Sequence, residues 1–270
     1  MSDSYGPDGL ARAIVLTCDN LGEASALERG TWSPGTPLGE DPSVTTALPR
    51  LLDALDGSHL TATFFVEGVN CELNPEAVAE IARRGHELGA HGWQHEEWSE
   101  LTAREERQVL KRTTWAFVHA GLDVRGFRPP GGKLTASTPA FLREHGFVWC
   151  SPAGEEAPSF RDGLATVPFT WDLVDAYHLM ERFAPLRVQR GDGTEPAGAA
   201  AAGDRLAQAL RDGTGVQTMI MHPFLMLDPA WWEQVQRLLN LLGELRRSGQ
   251  AWVVAGGTLA QALGAAAPPQ

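Results

Sequence analysis

No stretch of the chain approaches the ~20 consecutive apolar residues of a membrane span, and the opening run MSDSYGPDGLAR has neither the basic start nor the apolar core of an export signal. The expectation is a cytoplasmic protein with no membrane partner. Basic residues are scarce: 22 Lys and Arg against 34 Asp and Glu leave a formal charge of −12, which repels phosphate backbones and argues against nucleic acid as a partner. The only cysteines, Cys18, Cys71 and Cys150, are odd in number, far apart and set in apolar surroundings. That pattern predicts reduced structural thiols rather than disulfides or a thiolate metal site. A G-x-S-x-G elbow, a P-loop and a dinucleotide G-x-G-x-x-G are all missing, so serine hydrolase, NTPase and dehydrogenase readings have no local support. No internal repeat is apparent.

What is there fits one large α/β domain over residues 1–270, with its core at about 12–264: of 270 residues, 43% are hydrophobic and 21% charged. Strand-like apolar runs recur at Ala13 to Leu16, Ala62 to Val66, Leu88 to His91, Gly126 to Arg128, Phe147 to Cys150, Leu164 to Val167, Thr218 to Met221 and Ala251 to Val254. Between most of them lie helical patterns: Ser43 to Leu55, Pro75 to Arg84, Ala103 to Ala120, Pro139 to His145, Arg205 to Arg211 and Pro229 to Arg247. The alternation predicts a mainly parallel sheet, either open and doubly wound or closed as a barrel. Two connections, Asn20 to Pro42 and Met180 to Gly203, are long for a compact domain and rich in Gly, Pro and small residues. The first leaves a strand end that carries chemistry and is assigned to a pocket rim; the second reads as a mobile loop, and the Ala/Pro tail after Leu263 as a frayed end.

The strongest local signal is His91-Gly92-Trp93-Gln94-His95. Two imidazoles four apart after a strand end suit a divalent metal if the residues between them make a helical turn. The bland alternative is a buried, hydrogen-bonded His91 followed by a solvated polar face. His86-Glu87 with His91 imitates the helical metalloprotease motif, but its spacing of five takes the rings off a shared helix face. Asp19-Asn20 follows the first strand, where a parallel sheet presents side chains to a C-terminal face, so Asp19 is a candidate ligand or base; a turn or helix cap is the dull reading. Arg128-Pro129-Pro130-Gly131-Gly132 is a stiff turn suited to holding a guanidinium against a carboxylate. Trp171-Asp172 with Asp175, and Met221-His222-Pro223 after an apolar run, add two acids and a last histidine.

In this order the pieces resemble the five motifs of the polysaccharide deacetylase (NodB-homology, carbohydrate esterase family 4) superfamily: Asp19-Asn20, His91 to His95, Arg128 to Gly132, Trp171 to Asp175, and Met221-His222. The similarity runs from about Ile14 to Leu263. HGWQH and GFRPPGG are most similar to the intracellular branch with allantoinase-like members, and HGWQHEEW also resembles the deformylase of aminoarabinose lipid modification. The resemblance implies an irregular (β/α) barrel with seven or eight mainly parallel strands. It also implies one divalent metal, zinc first, with cobalt, nickel or manganese as substitutes, on His91, His95 and the position of Asn20. Asp19 would take a proton from water, His222 would give one to the departing amine, Arg128 would orient Asp19, and Asp172 or Asp175 would orient His222.

Asn20 departs from that pattern, because the family usually has a carboxylate ligand there. A neutral amide oxygen leaves the full +2 charge, weakening retention while making bound water more acidic. Three outcomes follow: Asn20 ligates through its carbonyl oxygen, Glu23 replaces it, or the metal and the activity are lost. The expected substrate is a small amide, an N-acyl amino sugar or similar metabolite, met by Trp93, Pro130, Gly131, Trp171 and Tyr177; Trp32, Trp98 and Trp231 are further stacking candidates, against a core reading for all the aromatics. Opening of a cyclic amide or ureide is the alternative within hydrolases, and a non-catalytic binding module the alternative outside them. Relatives often assemble, so a homo-oligomer is compatible with the acidic composition.

Overall fold

A computed structural model describes residues 5–6 and 9–266. Among these, nine strands form one curled sheet: β1 (Ala13–Asp19), β2 (Thr63–Val66), β3 (Glu87–Ala90), β4 (Gly126–Phe127), β5 (Trp149–Cys150), β6 (Ser159–Arg161), β7 (Leu164–Thr166), β8 (Val216–Met221) and β9 (Trp252–Val254). The order is β6-β7-β5-β4-β3-β2-β1-β8, with β9 beside the start of β1. Every pairing is parallel except β6 with β7. Helices between the strands cover the outside, making the curled half-barrel that the sequence similarity implied. Because both faces of β1 are covered, all seven of its residues are buried.

The helix stripes work as the periodicity predicts. Leu48, Leu51, Leu52 and Leu55 bury one side of the helix Leu48–Ser58, although the first turn, Ser43–Ala47, is π-helical. The helix Ala103–His119 starts in a capping box in which Thr102 and Glu105 satisfy each other's backbone N–H groups. No helix of the described residues is long and apolar enough to cross a membrane.

Three expectations need correction. A ninth strand, β6, pairs with β7 across Asp162-Gly163, both with positive φ (49° and 79°); Asp-Gly is a hairpin signal in its own right. The two long connections are also partly helical. Ala24–Glu28 lies in the first, while the second contains Ala184–Arg190 and the start of Ala199–Asp212, so its alanine run is helix rather than loop. Finally, the tail read as frayed belongs to the helix Gly256–Ala266 as far as residue 266, and residues 267–270 lie outside the described residues.

Candidate active site

Sheet order brings the sequence motifs together. Asp19 ends β1, and His222 follows β8, its neighbour, where Cys18 pairs with Met221 in register. The two side chains therefore leave adjacent strands at one level, where strands are spaced by about 4.8 Å. His91 follows β3 and Arg128 follows β4. Asp19, Asn20, His91, His95, Arg128 and His222 all line one open cavity of about 540 Å³.

Arg128 is buried and fixed on several sides. Its guanidinium donates to Asp19 (2.6 Å), Thr17 (2.7 Å) and Ser151 (2.8 Å) and stacks 4.2 Å above the Phe65 ring. One oxygen of Asp19 is thus held by a cation that has little freedom of its own. His222 is fixed in the same manner. Its Nδ1–H donates to Asp175 (2.5 Å) and its backbone N–H to the other carboxylate oxygen (2.8 Å), leaving Nε2 without a protein partner among the described residues.

The histidine pair converges without the helical turn that the spacing suggested. Gly92 (φ 73°) and His95 (φ 76°) turn the loop through left-handed backbone, a conformation that costs an L residue roughly 1–2 kcal/mol. Glu96 offsets that cost by accepting the N–H groups of Trp93 (2.9 Å) and Gln94 (3.0 Å). A Cβ on Gly92 would meet the Glu96 carboxylate at 2.5 Å and push it from the two N–H groups it accepts. The rings of His91 and His95 stand edge to face, 4.9 Å apart. His91 donates Nδ1–H to the Arg128 carbonyl (2.9 Å), which leaves Nε2 free. Burial, opposed by that hydrogen bond and reinforced by the Arg128 charge, pulls His91 down to about 3. Burial first, then His91, Arg29 and Arg182, pull His95 down too. Both rings are neutral at pH 7, the state a metal ligand needs.

The third ligand position is less well provided. Among the described residues no three His, Cys, Asp or Glu side chains gather to hold an ion, and the nearby carboxylates have other partners. Glu23 is fully buried against the N–H of Gly39 and the amide of Asn74, so it does not replace Asn20. Asn20, with φ 63°, turns into the cavity beside the imidazoles. The two neutral imidazoles and the Asn20 amide line one cavity and are donor types that a divalent ion takes.

Other expected site residues lie elsewhere. Asp172 is half exposed, 3.6 Å from Arg190 and away from His222. Trp93 is core, packed with Val69 and Ala116 beneath Arg112, and Tyr177 is buried with its hydroxyl on Asp192. Pro130 is buried behind the rim; Gly131 and Trp171 do line the cavity. Trp98 and Trp231 are core, and Trp32 sits on an outer loop, bonded to Thr36. Sequence reasoning missed Phe169, Phe183, Arg29, Lys133 and Arg182, all of which line the cavity. It also missed buried Glu67, which accepts from Leu21 N–H (3.1 Å) and Asn70 (3.2 Å). The three cysteines are free thiols; burial raises all of them, Cys71 to about 12 and Cys150 to about 11.

A curled, mainly parallel sheet with a carboxylate, three histidines and a buried arginine at its C-terminal edge defines the class. Residues 34–149 match the polysaccharide deacetylase family. Over 103 residues the chain is 35% identical to a peptidoglycan deacetylase of Helicobacter pylori, a match covering 38% of this chain and 35% of that protein. A peptidoglycan-N-acetylglucosamine deacetylase of Bacillus cereus is 32% identical over 101 residues, 37% of each chain. The chain thus matches about a third of the length of these curated relatives. A crystal structure of a putative polysaccharide deacetylase from Mycobacterium smegmatis superposes with a TM-score of 0.81 at 28% identity, covering 98% of this chain and 96% of that one. The Puue allantoinase structure (TM-score 0.77, 15% identity, 98% and 94% covered) shares the fold. Residues 34–149 are thus similar to the polysaccharide deacetylases, and the described residues share the fold of the Mycobacterium smegmatis structure.

Proposed function

We propose that this protein hydrolyses a non-peptide C–N bond, removing an acyl group from the nitrogen of a small amide such as an N-acyl amino sugar or related metabolite. One observation carries the reading: Asp19 and His222 face one cavity from adjacent strands, each held by its own buried partner, Arg128 and Asp175. Such a pair divides the two proton transfers that amide hydrolysis requires.

Asp19, with one oxygen on Arg128, has the other available to take a proton from the attacking water. As the water oxygen bonds to the carbonyl carbon, a tetrahedral oxyanion forms. His222, oriented through Nδ1, delivers a proton from Nε2 to the nitrogen, and the C–N bond breaks to give an amine and a carboxylic acid. A divalent ion bound by His91, His95 and Asn20 would supply Lewis acidity for the water and the oxyanion, with zinc the first choice.

The test is release of amine and of acetate or formate from a panel of small N-acetyl and N-formyl compounds by zinc-loaded protein. Asp19→Asn should lower the rate at least about 100-fold, within the range of a lost acid–base group. Amine release that this variant leaves intact overturns the assignment. The neutral amide of Asn20 also favours a second reading, a binding protein with a decayed metal site. Hydrolysis that appears only in Asn20→Asp would support that second reading.

A further inference from the structure

The cavity wall carries more positive charge than the proposed reaction uses. Four cations line it, Arg29, Arg128, Lys133 and Arg182, against two carboxylates, Asp19 and Glu97. Arg128 and Asp19 neutralise each other. Arg29 follows the short helix in the first long connection, and Arg182 lies at the start of the second. Among the described residues neither has a carboxylate within salt-bridge distance. The Arg182 guanidinium lies over the face of Phe183, at 5.0 Å.

This freedom is specific to Arg182 within its segment. Arg187 is fully buried and spends its donors on the carbonyls of Tyr177, Met180 and Thr194. Arg190 is shared among Glu155, Asp172 and Asp192. Those two arginines have structural work, whereas Arg182 is left facing the cavity. Burial, and then repulsion from Arg29, pull Arg182 down to about 10, so it stays charged at neutral pH. In a chain of formal charge −12, two cations that line one cavity with no carboxylate partner among the described residues form a local exception to the general field. Beside them Phe169, Trp171, Phe183 and Leu186 form an apolar stretch of wall.

We infer that Arg29 and Arg182 form an anion subsite, and that the substrate is a small amide carrying a carboxylate or phosphoryl group close to its scissile bond. The carboxylate form, of which an N-acyl amino acid is the simplest case, suits a planar guanidinium that can pair with both oxygens. The inference deepens the hydrolase reading and rests on it for the position of the reacting amide.

Binding is measured calorimetrically with zinc-loaded protein and probes in which a sulfonamide, inert to the reaction, replaces the amide. They are N-(methylsulfonyl)glycine, its uncharged N-methylamide, and the corresponding aminomethylphosphonate. Wild-type protein should bind at least one anionic probe about tenfold more tightly than the neutral one, and the stronger of the two identifies the natural anion. Arg29→Gln and Arg182→Gln should each erode that preference, and the double variant should abolish it with circular dichroism unchanged. Arg182→Lys should keep part of it. Equal binding of neutral and anionic probes by wild-type protein, or a preference that survives the double variant, overturns the subsite. Failure of the hydrolase reading looks different: anion preference persists, but no N-acyl compound releases an amine.

Discussion

His222 gives both its backbone N–H and its Nδ1–H to the single carboxylate of Asp175, which has no exposure to solvent. Removing that carboxylate strands two buried donors, a penalty of about 1–3 kcal/mol for each. Asp175→Ala should therefore lower the unfolding temperature and, on the proposed role of His222 as proton donor, reduce kcat by roughly 100-fold or more. Asp172→Ala should change kcat by less than about twofold, because a half-exposed ion pair contributes little. Steady-state kinetics and thermal unfolding of the two variants decide the matter, and equal losses would remove Asp175 from its role. Sequence alone left these two acids open, because they sit three apart in Trp171-Asp172-Leu173-Val174-Asp175. What separates them is a bridge between Val174 and Ile220, which sets Asp175 beside the end of β8 while the turn Trp171–Leu173 directs Asp172 outward. The aromatic residues were illegible for a related reason. Trp93 and Trp171 are the same chemical object in a sequence, and only tertiary packing makes one core and the other wall.

At the scale of elements, strand positions were the most legible feature: each of the eight apolar runs coincides with a strand, because a strand buried on both faces is nearly continuous in hydrophobicity. β6 escaped because three residues of mixed polarity, Ser159–Arg161, have no such run. Helices in the long connections escaped because their Ala, Gly and Pro content imitates a loop. The end of β2 supplies a prediction that no pattern suggested. Burial pushes the Glu67 carboxyl from 4.5 up to about 8, with Asp19 and Glu96 adding to the shift against hydrogen bonds that oppose it. The folded protein keeps this proton at pH values where the unfolded chain has released it. Stability from this group is thus complete below about pH 4.5, declines as pH rises towards 8, and levels off beyond. Glu67→Gln keeps the shape without the titration. The stability difference between variant and wild type should grow from pH 5 to pH 8 in favour of the variant, by an amount on the order of a few kcal/mol. Urea unfolding at both pH values measures it, and parallel profiles would show that Glu67 is ionised in the folded state.

For the whole molecule, the order of motifs along the chain was informative because the sheet converts sequence order into neighbourhood. Strands β4, β3, β2, β1 and β8 lie side by side, so residues following four of them share one rim. Charge was legible only as a total of −12, which conceals the cations that Arg29 and Arg182 bring to the cavity from irregular connections. The same architecture predicts how the protein responds to metal removal. His91, Asp19 and His222 are each held by a protein partner, Arg128 or Asp175, and the main core is built from apolar side chains. Chelator-treated protein should keep its far-UV circular dichroism and a cooperative thermal transition while losing amide hydrolysis. Zinc restored to a free concentration of 100 times its Kd should add about 2.7 kcal/mol to the unfolding free energy, as expected for a ligand that binds the folded state alone. At one fixed, sub-saturating zinc concentration Asn20→Asp should show the larger gain, because a carboxylate replaces a neutral donor. If the chelated protein unfolds, the ion has a structural role that these partners cannot account for; if zinc leaves the wild-type transition unmoved, the two imidazoles do not form a metal site.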